Sequence, residues 1–244
     1  MRKLSIAILF IFIILIPIIS QAGMLSGIVG GSSGAASSCD SCTGSLILSW
    51  HAEDANIETG TPCGCNYNAD KDFTFADSSA VSTTAKGDGT YSYLRSDNGD
   101  TATITISSAS ASQGYVSFWV NTAAVATNIV YILDLIYDGT NHFQIIQTSS
   151  NTLSAYYYYG ASSSRAASTS ALTAGSSYNC SAYYRSSGSP YIHIECDGGI
   201  TEGNQTNSVS SMDGAPTSLV VGGGTNTTAD AYIDMIKVYN VYNP

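Results

Sequence analysis

The sequence predicts an all-β domain, an antiparallel two-sheet jelly-roll sandwich. Short runs of alternating apolar and polar residues follow one another at regular spacing, separated by turns of Gly, Asn, Asp and Ser. No segment keeps apolar residues at the 3.6-residue period of an amphipathic helix. Only 11% of the residues are charged, and the 17 tyrosines accompany many Ser, Thr, Gly and Asn residues, a composition that suits strands with hydroxylated outer faces and tight turns.

The first element, residues 1–22, is typical of a secretory signal peptide. Arg2 and Lys3 form a short basic region, a long apolar run follows, and Ala22 ends a small-residue cleavage site. The apolar run is shorter than the roughly 20 residues that a spanning helix needs. We therefore expect cleavage after Ala22, a mature chain that does not span the membrane, and secretion.

The mature chain is predicted to consist of a linker and one large domain. Residues 23–44 are rich in Gly, Ser and Ala and are interpreted as a linker, and residues 45–244 as a single β-sandwich domain. Residues 52–82 are polar and are predicted to be irregular. The predicted strands are, in order, Ser45–His51, Tyr91–Arg95, Ala102–Ile106, Tyr115–Asn121, Ile129–Tyr137, Phe143–Thr148, Thr152–Tyr159, Tyr178–Arg185, Tyr191–Cys196, Leu219–Val221 and Tyr232–Tyr239.

The charge of the chain limits its partners. The formal net charge is −10, and without Arg2 and Lys3 the 6 remaining basic residues face 18 acidic ones, which gives −12. Such a field repels nucleic acid and anionic polysaccharide and favours neutral partners or cations. We expect the partner to be a glycan or an extracellular protein, and no nucleic acid.

Six cysteines in an exported chain indicate disulfides. Cys180 and Cys196 lie at equal distances in the sequence from Gly188, which belongs to a predicted turn rich in Ser and Gly. The flanking strands therefore form a hairpin in which the two cysteines face each other. A disulfide there would stabilise the fold by roughly 3 kcal/mol in the chain-entropy model.

The other four cysteines, Cys39, Cys42, Cys63 and Cys65, allow two interpretations. A Cys-x-x-Cys followed by a Cys-x-Cys could hold a tetrahedral zinc ion. Export favours disulfides instead. Cys63 and Cys65 are too close in the chain to bond each other without strain, so each is expected to pair with Cys39 or Cys42.

Tyrosines are the main signal for ligand binding. A tyrosine ring offers an apolar face and a polar hydroxyl, which together suit stacking against sugars. The alternative is that half of the rings fill the sandwich and the others cover its polar sheet faces. The candidate ligand-binding residues are Tyr157, Tyr159, Tyr183 and Tyr191.

No catalytic motif stands out. Glycoside hydrolysis needs two carboxyl groups that flank the scissile bond. In the nearest acidic cluster, Glu53–Glu58, Glu53 and Asp54 would lie on opposite faces of a strand. None of the three histidines lies near a Gly-x-Ser-x-Gly pattern. The chain is therefore expected not to be an enzyme.

Five segments follow one another in a characteristic order. They are Lys86–Leu94, the tryptophan-bearing strand Tyr115–Asn121, Tyr178–Ala182, Tyr191–Gly198 with its closing Asp-Gly, and the last strand Tyr232–Asn240. Their order and spacing resemble the LamG-like domains of the concanavalin A-like lectin/glucanase superfamily. The resemblance covers about residues 45–242, implies a two-sheet sandwich, and leaves function open among carbohydrate binders, adhesion modules and hydrolases.

The same resemblance implies a structural calcium ion. Domains of this fold often bind one, with ligands from an early acidic residue and from the Asp that opens the closing strand. Those positions correspond to Glu53 and Asp234. Carbonyl groups could supply the remaining oxygens of a six- to eight-ligand shell. The alternative is that Asp234 accepts hydrogen bonds from neighbouring turns; melting with calcium and with chelator, for wild type and Asp234→Asn, separates the two.

Together these features predict a secreted LamG-like binding module, for carbohydrate binding or adhesion at or outside the cell surface. A rival function is a structural subunit of an extracellular coat, fibre or appendage, which would polymerise in solution where a binder would not. A glycan hydrolase is the third candidate and is disfavoured by the missing carboxylate pair.

Overall fold

The computed structural model describes residues 46–50, 74–76, 80–87, 89, 91–96, 99–106, 112–160, 163–186, 191–205, 216–224 and 229–239. The chain divides into two units, Met1–Ser37 and Ser38–Pro244, and all of these residues belong to the second unit. They contain fifteen strands and no helix. No helix among them is therefore long and apolar enough to cross a membrane.

The strands form two antiparallel sheets, and the predicted fold class is confirmed. The first sheet has eight strands in the order β13-β12-β11-β6-β15-β4-β3, with β1 also paired to β15, and the second has seven in the order β10-β9-β8-β7-β14-β5-β2. The bounds are β1 Leu46–Trp50, β2 Thr74–Ala76, β3 Ala80–Ser82, β4 Ser92–Arg95, β5 Thr101–Thr105, β6 Gln113–Thr122, β7 Val130–Ile136, β8 His142–Gln147, β9 Thr152–Tyr159, β10 Ser163–Ala171, β11 Ser177–Arg185, β12 Tyr191–Cys196, β13 Gly203–Gln205, β14 Ser218–Gly222 and β15 Ala231–Tyr239.

The core lies between the two sheets. On the first sheet, Val116 and Phe118 of β6 alternate with polar residues and point into one continuous cluster of buried apolar side chains. Tyr184 of β11 joins the two layers, because its ring centroid lies 5.1 Å from that of Phe143 and 4.8 Å from that of Tyr157, both on the second sheet. On strands where one set of alternate side chains points into the core, the other set lies on the outer face of the sheet.

The hairpin β11–β12 has the predicted register. Cys180 pairs with Cys196 across the two strands, and a disulfide joins them. Cys180 is buried among the core residues. By alternation, the residues at odd positions of β11 and β12 therefore lie on the outer face of the first sheet.

Four strands depart from the sequence prediction. The segment predicted to be irregular contains β2 and β3, and the segments that form β10 and β13 were not among the predicted strands. Strand β10 reads SSRAASTSA, which contains few residues of high strand propensity. It forms nonetheless because seven of its residues pair with β9, so tertiary context outweighs local preference.

Strand β13, at one edge of the first sheet, packs against β10, at one edge of the second sheet. The Ser170 amide donates to the Thr201 carbonyl at 3.0 Å, and the Thr201 amide donates to Ser170 Oγ at 3.0 Å. Gly203 approaches so closely that a Cβ there would lie 2.2 Å from the Ser168 carbonyl oxygen. This contact protects two edges that carry no lysine.

Candidate functional site: an aromatic row on the first sheet

A row of aromatic side chains crosses four adjacent strands on the outer face of the first sheet. The register pairs Tyr239 of β15 with Tyr115 of β6, Tyr115 with Tyr183 of β11, and Tyr183 with His193 of β12. The ring centroids are 5.2, 6.5 and 5.0 Å apart along this sequence. These four residues, called the aromatic row below, span about 14 Å at the ordinary spacing of strands.

The row is half-buried rather than fully exposed. Tyr115 and Tyr239 are partly exposed, whereas Tyr183 and His193 are 8% and 6% exposed. Tyr191, two residues before His193 on the same face, adds a further ring at 5.5 Å from Tyr183 and 5.9 Å from His193. The Tyr239–Tyr115 end of the row is thus open to a ligand, whereas the Tyr183–His193 end is packed.

A polar group closes the β12 end of the row. Asn204 of β13 pairs with His193, and its Oδ1 lies 2.6 Å from His193 Nδ1. The Tyr191 hydroxyl donates to the same oxygen. The Asn204 amide nitrogen donates to Glu202 Oε1 at 3.0 Å, which fixes the orientation of the amide.

Two carboxylates stand beside this imidazole. Glu195 Oε2 lies 3.2 Å and Glu202 Oε2 lies 3.9 Å from His193 Nε2. Ser181 of β11 donates to the other oxygen of Glu195 at 3.0 Å. The sequence does not predict this pair of carboxylates, because Glu202 lies in the loop before β13 and reaches Glu195 only through the pairing of β13 with β12.

The predicted ligand-binding tyrosines separate into three groups. Tyr183 and Tyr191 lie on the outer face in and beside the aromatic row. Tyr159 is partly buried and packs against the core. Tyr157 was placed wrongly, because it is 2% exposed and points between the sheets against Tyr184, where no surface ligand reaches it.

The outward tyrosines of β9 are Tyr156 and Tyr158, which form a second aromatic surface on the other sheet. Their rings are stacked, with centroids 5.8 Å apart and planes at 15°. On the neighbouring strands, His142 Nδ1 lies 3.1 Å from Asp134 Oδ1, and Gln144 donates to Asp134 Oδ2 at 2.8 Å. The hydrogen bond to Asp134 raises the pKa of His142 above its ordinary value.

Asp234, the predicted calcium ligand, is fully buried. The Gly87 amide donates to its Oδ2 at 3.2 Å and the Met235 amide to its Oδ1 at 2.8 Å. These bonds hold the bulge at Met235, whose φ is +52°. Glu53 lies outside the described residues, so the calcium ion stays a prediction.

Cys39, Cys42, Cys63 and Cys65 also lie outside the described residues, and their pairing stays a prediction. Tyr115 and Tyr239 were assigned to strands but not to a site. Alternation gives the face of Tyr115 on β6, but the bulge at Met235 changes the parity of β15, so the face of Tyr239 depends on the folded structure. Only the register between the strands brings the two tyrosines together.

No protein-family model and no curated protein matches the chain. Among solved structures, the binding domain of botulinum neurotoxin DC in complex with SialylT is similar over 82% of this chain, with a TM-score of 0.62 and 11% identity. A structure of botulinum neurotoxin type C, a toxin described as dependent on two ganglioside molecules for cell entry, has a TM-score of 0.62 and 10% identity over 82% of this chain. The binding domain of botulinum neurotoxin serotype C1 has a TM-score of 0.61 and 10% identity over 82% of this chain. This chain covers only 48–50% of those neighbours, so the likeness establishes a shared two-sheet fold with about half of a toxin binding domain.

Proposed function

We propose that the protein is a secreted, LamG-like glycan-binding module of the concanavalin A-like type, acting at or outside the cell surface. The aromatic row carries this proposal. It places Tyr239 and Tyr115 at an open end and the Asn204 amide and two carboxylates at the other. Flat rings beside convergent polar groups are what a sugar requires, because one face of a pyranose is apolar and its rim carries hydroxyl groups.

The proposed ligand is neutral. The chain carries a formal net charge of −10, and the polar end of the aromatic row carries Glu195 and Glu202, which are 53% and 55% exposed. An anionic sugar would approach both carboxylates, and repulsion would weaken its binding. Carboxylates accept hydrogen bonds from neutral sugar hydroxyls without this cost.

The structural neighbours support a binding module in general. One is named as a toxin binding domain in complex with SialylT, and another as a toxin whose cell entry depends on two ganglioside molecules. Those ligands belong to chains about twice as long as the matched region, so the choice of sugar for this protein rests on its own residues.

The test is a glycan array with the purified domain, followed by calorimetric affinities for the best ligand. We expect neutral oligosaccharides to bind. Tyr115→Ala and Tyr239→Ala should each weaken binding about tenfold, the change that roughly 1.4 kcal/mol of lost contact produces. Tyr115→Phe keeps the ring and should retain most of the affinity.

Tyr158→Ala is the matched control, since it removes a partly exposed tyrosine from the other sheet. Binding lost in Tyr158→Ala and kept in Tyr115→Ala would move the site to the second sheet and overturn the assignment to the aromatic row. An array on which only sialylated glycans bind would refute the charge argument. An array with no ligand, together with polymerisation in solution, would favour the coat or fibre subunit instead.

A further inference from the structure

Three potential metal ligands converge on the outer face of the first sheet. They are His193 Nε2 and one carboxylate oxygen each from Glu195 and Glu202, and no two of these atoms are more than 4.8 Å apart. His193 and Glu195 share a face because they are two residues apart on β12. Glu202 joins them because β13, which begins at the next residue, pairs with β12.

Each of these side chains is held from behind by a second hydrogen bond. Asn204 accepts from His193 Nδ1 at 2.6 Å through its oxygen and donates to Glu202 Oε1 at 3.0 Å through its nitrogen. Ser181 donates to Glu195 Oε1 at 3.0 Å. Protein metal sites use such outer bonds to fix the tautomer of a histidine and the orientation of a carboxylate. The bond to Asn204 puts a proton on Nδ1, so in the neutral imidazole the lone pair of Nε2 points toward the carboxylates.

A proton on His193 Nε2 can interact with only one of the two neighbouring carboxylates, whereas a metal ion can bind both. One N–H can donate to Glu195 at 3.2 Å, but Glu202 at 3.9 Å lies beyond hydrogen-bond range. Ligands about 2 Å from a shared tetrahedral zinc ion lie roughly 3.3 Å from one another, close to the 3.2 Å at Glu195. Rotation of the exposed Glu202 side chain would bring its oxygen from 3.9 Å into the same shell. His193 is 6% exposed, so its nitrogen is fixed in place while the two exposed glutamates can adjust.

We propose that His193, Glu195 and Glu202 bind a divalent transition-metal ion of the zinc class, with a fourth position left to water. One nitrogen and two carboxylate oxygens form a ligand set that zinc accepts, and three protein ligands plus an open position describe a site that stays accessible from solution. This proposal does not depend on glycan binding by the aromatic row.

The test is calorimetric titration of tag-free, full-length mature protein with zinc chloride at neutral pH. We expect one zinc ion per chain. Glu202→Gln, at an exposed position, should lower the zinc affinity at least tenfold. Asn204→Ala, which touches no metal, should lower it about 10- to 100-fold, as loss of an outer hydrogen bond does at such sites. Asp230→Asn removes the same charge just before β15, at the end of that strand away from Tyr239, and should leave the affinity unchanged.

Three results would overturn the proposal. The wild-type protein could bind no zinc. Zinc could bind equally to wild type, Glu202→Gln and Asn204→Ala, which would place it elsewhere, such as at Cys39, Cys42, Cys63 and Cys65. Asp230→Asn could lose as much affinity as Glu202→Gln, which would mean that zinc responds only to net charge. Circular dichroism of each variant confirms that the fold is retained before the affinities are compared.

Discussion

At the scale of single residues, the side of the sheet decides the role of each tyrosine. Tyr157 and Tyr158 are neighbours in sequence, yet one lies in the core against Tyr184 and the other stacks with Tyr156 on the outer face. Burial raises the pKa of Tyr137 and Tyr184, whose hydroxyls bond each other inside the sandwich. These inner tyrosines therefore fill and satisfy the core, while the outer ones are available for recognition.

The bond between His142 and Asp134 predicts a pH-dependent contribution to stability. The pKa of folded His142 is raised, first by its hydrogen bond to Asp134 and also by the charge of Asp138. The contribution is therefore complete below the unfolded value of about 6.5 and is lost as the pH rises through the folded value. The difference in melting temperature between wild type and His142→Gln should be larger at about pH 6 than at about pH 8.

Comparing the two proteins at each pH cancels the titration of every other group. Asp134→Asn, which keeps the shape of the acceptor and removes its charge, should flatten the pH dependence in the same way. If the difference in melting temperature between wild type and His142→Gln were equal at both pH values, the hydrogen bond to Asp134 would not stabilise protonated His142 more than neutral His142.

At the scale of elements, the contact between β13 and β10 closes one side of the sandwich. Strand β13 has only three residues, and its Gly203 lies directly on the backbone of Ser168. The same strand carries Asn204, which pairs with His193. The position of β13 therefore determines both the protection of a sheet edge and the geometry at the β12 end of the aromatic row.

Gly203→Ala tests this contact. The new Cβ would lie 2.2 Å from the Ser168 carbonyl oxygen, and because that atom is backbone, one of the two strands must move. We expect a loss of about 1–3 kcal/mol in the free energy of unfolding, as for other overpacked sites, measured by urea denaturation.

Gly139→Ala is the control, since nothing lies within 4 Å of its Cβ position and its φ is not in the left-handed region. It should change the free energy of unfolding by less than about 0.5 kcal/mol. Equal stability of the two variants would show that β13 can separate from β10 without consequence for the fold.

At the scale of the whole molecule, the structure bears on the choice between binder and enzyme. The structure contains a pair of neighbouring carboxylates that the sequence did not predict, those of Glu195 and Glu202. They share one histidine and belong to the same edge of the sheet, whereas glycoside hydrolysis needs two carboxyl groups on either side of the scissile bond.

We therefore expect the purified protein to release no reducing sugar from β-glucans or galactans. Release that disappears in both Glu195→Gln and Glu202→Gln, but persists in Asp230→Asn, would make the protein a hydrolase. Release that persists in all of these variants would indicate a contaminating enzyme and would leave the prediction standing.

The sequence by itself determined the fold class, most strands and the Cys180–Cys196 hairpin, because alternation, turn residues and symmetric cysteines are local signals. Alternation along the strands also places Tyr183 and Tyr191 on the face opposite Cys180 and Cys196, whatever the partners of those strands are. The sequence failed at β10, whose Ser- and Ala-rich segment becomes a strand only beside β9, and at Tyr157, whose parity relative to the core depends on packing.

Only the tertiary structure decided which residues meet. Tyr239 joins Tyr115, and Glu202 joins His193, because strands far apart in the chain pair in a particular register. A shift of one residue in either pairing would send those side chains to the opposite face or past each other. Register depends on the burial of whole strand faces and on the sum of many long-range contacts, so the aromatic row and the His193–Glu195–Glu202 cluster are properties of the folded molecule that no single segment of the sequence contains.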